Sequence, residues 1–225
     1  FTSGVLTSGF LIIVYVSSSM VFESATHFPS REDDLDKIPP PVSSYGFSKL
    51  SGEWYCHAFH DQHGLAFTIC RPFNAYGTGE FPEKEIGVAH VIPDLVKKIL
   101  SGQYPLQLLG DGQQTRCFTH VRDIADGIIT TALSQNAKNQ DFNIGSDIEI
   151  KMIDLAAKIW QLMAVKKPFK VKFTKPFRYD IKRRVPNVQK AKKMLNWEPQ
   201  VKFEDGLLEV ITWLERQKAT GKLEP

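Results

Sequence analysis

Two short apolar runs most constrain the fold of this chain. Residues 10–16 (FLIIVYV) and 65–71 (LAFTICR) are apolar at nearly every position rather than at alternate positions. This pattern is typical of strands buried on both faces, as in a parallel sheet covered by helices. A helix is predicted between the two runs at 45–63, ended by Gly64, and strands alternate with helices along the rest of the chain. The sequence therefore predicts an α/β fold with a mostly parallel sheet.

The other elements follow the same alternation. Residues 27–44, which include IPPPVSS, and 72–87 are rich in proline, glycine or serine and are predicted to be loops. The predicted strands lie at 105–109, 115–121, 142–146 and 169–173, and the predicted helices at 89–101, 122–135, 150–163, 187–195 and 204–217.

Composition excludes several classes of protein. With 225 residues and 42% hydrophobic residues, the chain can form one large domain or two small ones. The net charge is +3 and the basic residues form no long stripe, so we predict no nucleic-acid binding. The first apolar run is too short for a membrane span and lacks the charged front of a signal peptide, so we predict no membrane association.

Cysteine and histidine spacing gives no sign of a metal site. Cys56, Cys70 and Cys117 are far apart, which predicts neither a disulfide framework nor a zinc site and favours a reducing, cytoplasmic setting. Three histidines of the helix at 45–63 fall at i, i+3 and i+6. They drift around the helix without carboxylate partners, so we interpret them as surface residues and predict no metal.

One tyrosine and one lysine have a spacing that suits proton transfer. Tyr45 and Lys49, in SSYGFSKLSGEWY, lie one helical turn apart on the same face if the segment is helical. Ser43 and Ser44 precede them as candidate caps. A lysine ammonium favours the ionised form of a neighbouring phenol, which then serves as a base. Taken alone, the spacing is also common by chance on helix surfaces.

Several sequence motifs, found in a fixed order along the chain, bear on how the Tyr45–Lys49 pair is interpreted. They are VYVSSSMVF ahead of YGFSK, then RPFNAYGTGE, LGDGQQTRCFTHVRDIADGI, FNIGSDIEI and RRVPNVQKAKKMLNWEP. Together they resemble the extended short-chain dehydrogenases/reductases, and within them the nucleotide-sugar epimerase and dehydratase family, over roughly residues 10–215. The resemblance implies a partial Rossmann-type parallel sheet without its first strands, with a smaller C-terminal α/β substrate lobe. It also implies NAD as cofactor and a nucleotide-diphosphate sugar as substrate.

The resemblance assigns catalytic roles to three residues. Tyr45 matches the family's catalytic tyrosine, and Lys49 matches the lysine that holds the nicotinamide ribose. Ser18 matches the catalytic Ser or Thr, with Ser17 and Ser19 as rivals. A hydroxyl at this place can hydrogen-bond the sugar oxygen as its proton leaves.

The resemblance also assigns ligand contacts. Pro72 and Phe73 match positions beside the nicotinamide, and Asn74 matches a contact to the substrate diphosphate. Arg116 matches a diphosphate-binding arginine, a role suited to the planar fork of a guanidinium. Solvated-strand or turn roles remain alternatives for Asn74 and Arg116.

Two adjacent arginines cannot be distinguished from sequence. Arg183 and Arg184 fall near another phosphate-binding arginine of the family, but the register is not fixed. Either one is equally well interpreted as solvated loop charge.

The sequence departs from the family in two places. The segment GVLTSG is not the Gly-rich dinucleotide fingerprint, so we expect the intact protein to be longer at its N-terminus. Ser19 and Met20 stand where the family's 4,6-dehydratases carry an acidic pair, so an acid for water elimination is missing. These features favour a nucleotide-sugar 4-epimerase. A reductase or synthase of the same family, or an inactive fragment that binds substrate or only assembles, remains an alternative.

The expected organisation has two parts. Residues 1–71, rejoined by 116–141, are assigned to the dinucleotide-binding domain, and 72–115 and 142–225 mostly to the substrate lobe. The first strand would lie at a sheet edge, and such enzymes pair through helices. We therefore expect a homo-oligomer, in the simplest case a dimer.

Overall fold

The computed structural model describes residues 12–82, 90–176 and 181–223. Its strands are β1 (Ile12–Val16), β2 (Ala66–Pro72), β3 (Ala75–Tyr76), β4 (Leu106–Leu109), β5 (Thr115–Cys117), β6 (Thr119–His120), β7 (Gln140–Ile144), β8 (Glu149–Lys151), β9 (Val171–Thr174) and β10 (Arg183–Arg184). Its α-helices are α1 (Ser44–His63), α2 (Val91–Leu100), α3 (Val121–Leu133), α4 (Met152–Leu162), α5 (Gln189–Leu195) and α6 (Phe203–Ala219). Short 3₁₀ helices cover Ser19–Phe22, Glu32–Lys37 and Gln135–Ala137.

A three-stranded parallel sheet, in the order β1-β2-β7, carries the elements of the candidate site. Alternate residues of its central strand β2 face opposite helices, as the two-residue period of a strand requires. Phe67 and Ile69 pack with Cys56 of α1, whereas Cys70 packs with Ile124 of α3. The nearly continuous apolar run therefore reflects burial on both faces of the sheet.

Gly52 sets how closely α1 approaches β1. The Tyr15 hydroxyl donates a hydrogen bond to the Lys49 carbonyl at 3.2 Å. A Cβ atom on Gly52 would lie only 2.1 Å from the Tyr15 oxygen, so any side chain there would push the helix away. This close approach brings the first turns of α1 beside the end of β1.

The second part of the structure is built on a separate core. Helices α2, α4 and α6 pack together through Leu95, Leu155, Ile159, Leu207 and Ile211, all essentially inaccessible to solvent. Burial of each such side chain contributes about 1.5–3 kcal/mol relative to exposure. Strand β4 pairs with β9, and β5 pairs with β10 and β8.

The predicted α/β class is confirmed, and the strand pairings among the described residues are parallel except that of β5 with β8. The predicted strand at 115–121 is two short strands, because β5 pairs with β10 and β8 while β6 pairs with β3. The predicted loop at 27–44 contains the 3₁₀ helix Glu32–Lys37, whose acidic first turn suits a helix N-terminus. The GVLTSG segment lies outside the described residues.

The assignment of domains stays a prediction. Strand β7 belongs to the three-stranded sheet up to Ile144, three residues past the predicted boundary at 141. The core formed by α2, α4 and α6 corresponds to segments expected in the substrate lobe.

No helix in the described ranges is long and apolar enough to cross a membrane. In the same part of the chain, no group of three or more His, Cys, Asp or Glu side chains could hold a metal ion. The three cysteines are buried free thiols.

His120 is a buried titratable group at the start of α3. Its Nδ1 accepts the Arg122 backbone N–H at 3.3 Å, and its ring packs edge-on against Tyr76 at 5.3 Å. Its Nε2 lies 3.9 Å from a Glu209 carboxylate oxygen. Burial, aided by the charge of Arg122, lowers the pKa of His120 below its ordinary 6.5, against the opposite effect of Glu209 and Asp123.

We expect this histidine to make the fold acid-sensitive. Because its folded-state pKa is depressed, its contribution to stability is complete above pH 6.5 and is lost as the pH falls toward the lower folded-state value. Urea unfolding between pH 7.5 and 5 should show less of this loss in His120→Asn, whose amide can still cap α3. The exposed His57→Gln should keep the wild-type profile. Identical profiles for wild type and His120→Asn would contradict the assignment.

Candidate active site

The first turn of α1 presents Tyr45 beside two capping interactions. The Ser43 hydroxyl accepts the Gly46 N–H at 3.1 Å, and the Glu23 carboxylate accepts the Ser43 N–H at 2.8 Å. Both satisfy donors that a helix N-terminus leaves open. Tyr45 itself is 53% exposed, so its phenol is accessible to a ligand.

Lys49 lies on the same face, one turn further along α1. Its Nζ donates to the Val16 carbonyl at 3.0 Å and lies 5.8 Å from the centre of the Tyr45 ring. The backbone bond fixes the ammonium at the end of β1, in cation–π range of the phenol. The structure thus brings together the two residues that the sequence paired.

Ser18 lies in the turn that follows β1 and packs against this helix. Its hydroxyl accepts the Met20 N–H at 3.2 Å and caps the 3₁₀ helix Ser19–Phe22. A Cβ on Gly46 would lie 2.8 Å from the Met20 carbonyl oxygen. The glycine after Tyr45 therefore allows the Ser18 turn to contact the first turn of α1.

A buried network of hydrogen bonds and ion pairs holds the residue before Ser18 in place. The Ser17 hydroxyl donates to Glu53 at 2.5 Å, and Arg71 forms two bonds to the same carboxylate at 2.9 and 2.7 Å. Asp141 adds a contact of 2.7 Å to Arg71. Burial lowers the pKa of Arg71, but the Glu53 and Asp141 carboxylates have a larger opposite effect. The pKa of Arg71 is therefore raised. This network links α1, β2 and β7 under the candidate site.

Asn74 and Arg184 meet at the other side of the Ser18 turn. Asn74 has φ 40° and donates to the Cys117 carbonyl at 3.0 Å, while its amide oxygen lies 3.4 Å from Arg184 Nη1. Arg184 Nη2 lies 2.7 Å from the Met20 sulfur. Arg116 is the register partner of Arg184 on the neighbouring strand. These three polar residues, all expected to contact substrate, therefore share one region of the fold.

The two adjacent arginines differ in their surroundings. Arg183 forms a two-point ion pair with Glu149 at 2.8 and 2.9 Å and lies 5.4 Å over the Phe28 ring. Hydrogen bonding to Glu149 raises the pKa of Arg183. Arg184 points toward Met20 instead. Successive strand residues face opposite sides, which explains the difference.

Arg184 is positively charged in a crowded setting. Burial and then the charge of Arg116 lower its pKa to about 10, whereas Glu23 and Tyr45 act in the opposite direction. The guanidinium therefore remains charged at neutral pH, at a cost that a bound anion would offset.

The residues expected beside the nicotinamide lie at the end of β2. Pro72 is partly buried, and Phe73 is fully buried against Phe22 with ring centres 6.1 Å apart. The Phe73 ring belongs to a small core with Val21, Phe22 and Leu50. The cofactor contacts of Pro72 and Phe73 stay predictions. The contact of Tyr45 and Lys49 with the nicotinamide ribose likewise stays a prediction.

This parallel α/β fold, with the Tyr45 phenol beside Lys49 on its first long helix, is of the short-chain dehydrogenase/reductase type that the sequence motifs resemble. Residues 6–145 match the NAD dependent epimerase/dehydratase family. The chain belongs to that family.

Proteins with several different activities resemble this chain in sequence and fold. The chain is 36% identical over 211 residues to a UDP-N-acetyl-alpha-D-glucosaminuronate decarboxylase of Bacillus cytotoxicus, covering 89% of the chain and 63% of the relative. It is 31% identical over 209 residues to a putative UDP-glucose 4-epimerase of Methanocaldococcus jannaschii, covering 92% and 64%. The UDP-glucuronic acid 4-epimerase of Bacillus cereus, solved with UDP-glucuronic acid and NAD, superposes with TM-score 0.77 at 28% identity, covering 91% and 62%. The chain thus spans less than two thirds of the length of these relatives.

Proposed function

We propose that the protein containing this chain is an NAD-dependent nucleotide-sugar 4-epimerase. The observation that carries the proposal is the face shared by Tyr45 and Lys49, which adjoins the Ser18 turn and the Asn74–Arg184 pair. A base, a hydroxyl and anion-binding groups are then arranged around one region. The names of the relatives support a UDP-sugar as substrate.

The proposed mechanism assigns separate tasks to these residues. NAD, when bound, supplies the hydride acceptor and later the donor. Tyr45 takes the proton of the C4 hydroxyl, and Ser18 hydrogen-bonds the same oxygen as charge develops. Lys49 stabilises the phenolate. After inversion at C4, Tyr45 would return the proton to the same oxygen, so one residue serves both directions.

Met20 favours epimerisation over dehydration. Elimination of water requires a general acid near the leaving hydroxyl. Met20 contacts Arg184 through its sulfur and offers no proton there. Epimerisation at C4 needs no such acid, because the same tyrosine removes and returns the proton.

Decarboxylation of a uronate is the second candidate, favoured by the 36% identity to the Bacillus cytotoxicus decarboxylase. It would use the same oxidation at C4, after which the sugar loses carbon dioxide instead of being reduced on the other face. Chromatography of the sugar products separates the two reactions. A C4 epimer supports the first proposal, and a pentose product supports the second.

The substrate proposal is tested by changing Arg116. We expect Arg116→Lys to weaken UDP-sugar binding roughly tenfold, because lysine keeps the charge but loses the two-point fork. Isothermal titration with a UDP-sugar measures this, with the exposed Arg216→Lys of α6 as the matched control. Unchanged affinity in Arg116→Lys would remove the diphosphate role.

We also propose that the protein forms a dimer through α1. Besides Tyr45, four large side chains of this helix are at least half-exposed: Phe47, Trp54, Tyr55 and Phe59. They lie along one side of the helix, away from the sheet, where pairing with a second copy would bury them. A cytoplasmic location is proposed from the three free, buried thiols.

A further inference from the structure

Glu23 links the Ser18 turn to the first turn of α1. It is the C-cap of the 3₁₀ helix Ser19–Phe22, where its backbone N–H donates to the Met20 carbonyl at 3.1 Å. Its side chain accepts the backbone N–H of Ser43, the N-cap of α1, at 2.8 Å. One partly buried carboxylate therefore joins the two segments that carry the candidate hydroxyl and the candidate base.

The N-cap of α1 cannot obtain this acceptor from its own helix. In a capping box, the side chain three residues after the N-cap accepts the N-cap N–H. That position in α1 is Gly46, where a Cβ would lie only 2.8 Å from the Met20 carbonyl oxygen. Glu23, 20 residues before Ser43, supplies the carboxylate instead. The close contact between the Ser18 turn and α1 thus creates the need for Glu23.

Substrate binding does not account for an acidic side chain at this place. Burial, and then Arg116, lower the pKa of Arg184, and Glu23 acts in the opposite direction. Its negative charge therefore acts within the region proposed to hold an anionic diphosphate, which it would repel. The bond to Ser43 remains as the reason for a carboxylate.

The surroundings of Glu23 make it suitable for substitution. Its side chain borders an open cavity of about 300 Å³, lined also by Phe28 and Val42, rather than a packed core. Shortening the side chain therefore enlarges a space that is already open, and the fold should be retained.

We propose that Glu23 is a positioning residue, which holds the first turn of α1 against the Ser18 turn and so sets the distance between the Tyr45 phenol and the Ser18 hydroxyl. The inference rests on the proposed function, since it takes these two groups to act on one sugar oxygen. Misplacement of a reacting group by about 1 Å costs roughly 10²-fold in rate, so one bond of this kind affects turnover.

The test measures turnover of UDP-glucose and UDP-glucuronate in the presence of NAD. We expect Glu23→Ala to lower kcat roughly 10- to 100-fold and to leave KM within about twofold, because alignment is lost while the diphosphate contact stays. Glu23→Gln should keep kcat within about threefold, since its amide oxygen still accepts the Ser43 N–H. Isothermal titration with UDP counts the folded sites in each variant.

The matched control is Ser24→Ala. The Ser24 hydroxyl donates to the Pro40 carbonyl at 3.1 Å, so it joins the same two stretches of chain without contacting the N-cap of α1. Its removal should leave kcat at the wild-type value. A loss of kcat in Glu23→Ala alone then points to the bond at Ser43.

The outcomes separate the inference from the proposed function. Wild-type kcat in Glu23→Ala overturns the inference and leaves the proposed function standing. So does a Glu23→Gln variant that loses as much kcat as Glu23→Ala, which would make the charge of Glu23 the important property. A fall in UDP sites that accounts for the lost rate also overturns it, since the fold would then be at fault. If wild type converts neither UDP-sugar, the proposed function fails and the inference fails with it.

Discussion

Replacing Arg71 by methionine is expected to lower the free energy of unfolding by about 3–5 kcal/mol, the cost of breaking a buried ion pair from one side. Arg71 and Glu53 are 2% and 1% exposed, and their two-point bond joins β2 to α1. Methionine would leave the Glu53 carboxylate buried with only the Ser17 hydroxyl bond. Chemical denaturation monitored by circular dichroism measures the loss.

A double variant distinguishes loss of the pair from loss of packing. In Arg71→Met with Glu53→Leu, both charges are removed and apolar groups fill the space, a change that is often close to neutral. Asp141 keeps its partner Lys190 at 2.6 Å, so no new unpaired carboxylate arises. We therefore expect the double variant to recover most of the stability, whereas Arg216→Met on the surface should change it by less than about 0.5 kcal/mol. A double variant as unstable as Arg71→Met would argue against an electrostatic cause.

Part of this network could have been read from the sequence. Glu53 falls on the buried face of α1, in the row that contains Gly46, Leu50 and Cys56. A buried carboxylate on that face requires a charged or hydrogen-bonding partner, and Arg71 is the last residue of the mostly apolar run 65–71. The pairing itself depends on how α1 crosses the sheet, which local periodicity does not specify.

Short-range features of the site were the most predictable. Tyr45, Lys49 and the cap at Ser43 depend on helical spacing alone, and the structure places all three in the first turns of α1 or just before it. Ser18 follows a strand whose end is fixed by its apolar run. The chemical roles of these residues remain predictions, because position alone does not establish catalysis.

Long-range contacts were not predictable. The choice between Arg183 and Arg184 depends on how β10, a strand of two residues, pairs with β5, and so short a strand has no pattern of its own. Glu23 gave no signal, since its bond to Ser43 spans 20 residues across a loop. Such contacts become visible only when the chain is folded.

Replacing Tyr45 by phenylalanine is expected to lower the rate of C4 epimerisation by about 10²–10⁴-fold, the range for loss of a positioned general base. The change removes a single oxygen from a half-exposed ring. The contact proposed for the diphosphate is untouched, so UDP-sugar affinity should stay within about twofold. Single-turnover kinetics with NAD and a UDP-sugar separates the chemical step from binding.

The matched control for this prediction is Tyr55→Phe. Tyr55 is exposed on the same helix, and the substitution removes the same atom at a distance from the Ser18 turn. If Tyr45 is the general base, Tyr45→Phe loses turnover and Tyr55→Phe keeps it. Equal turnover in wild type, Tyr45→Phe and Tyr55→Phe would show that Tyr45 is an ordinary surface residue. A Tyr45→Phe variant that loses affinity but keeps its rate would instead make the phenol a binding group. Only loss of rate with affinity retained is the result expected of a proton acceptor beside Lys49.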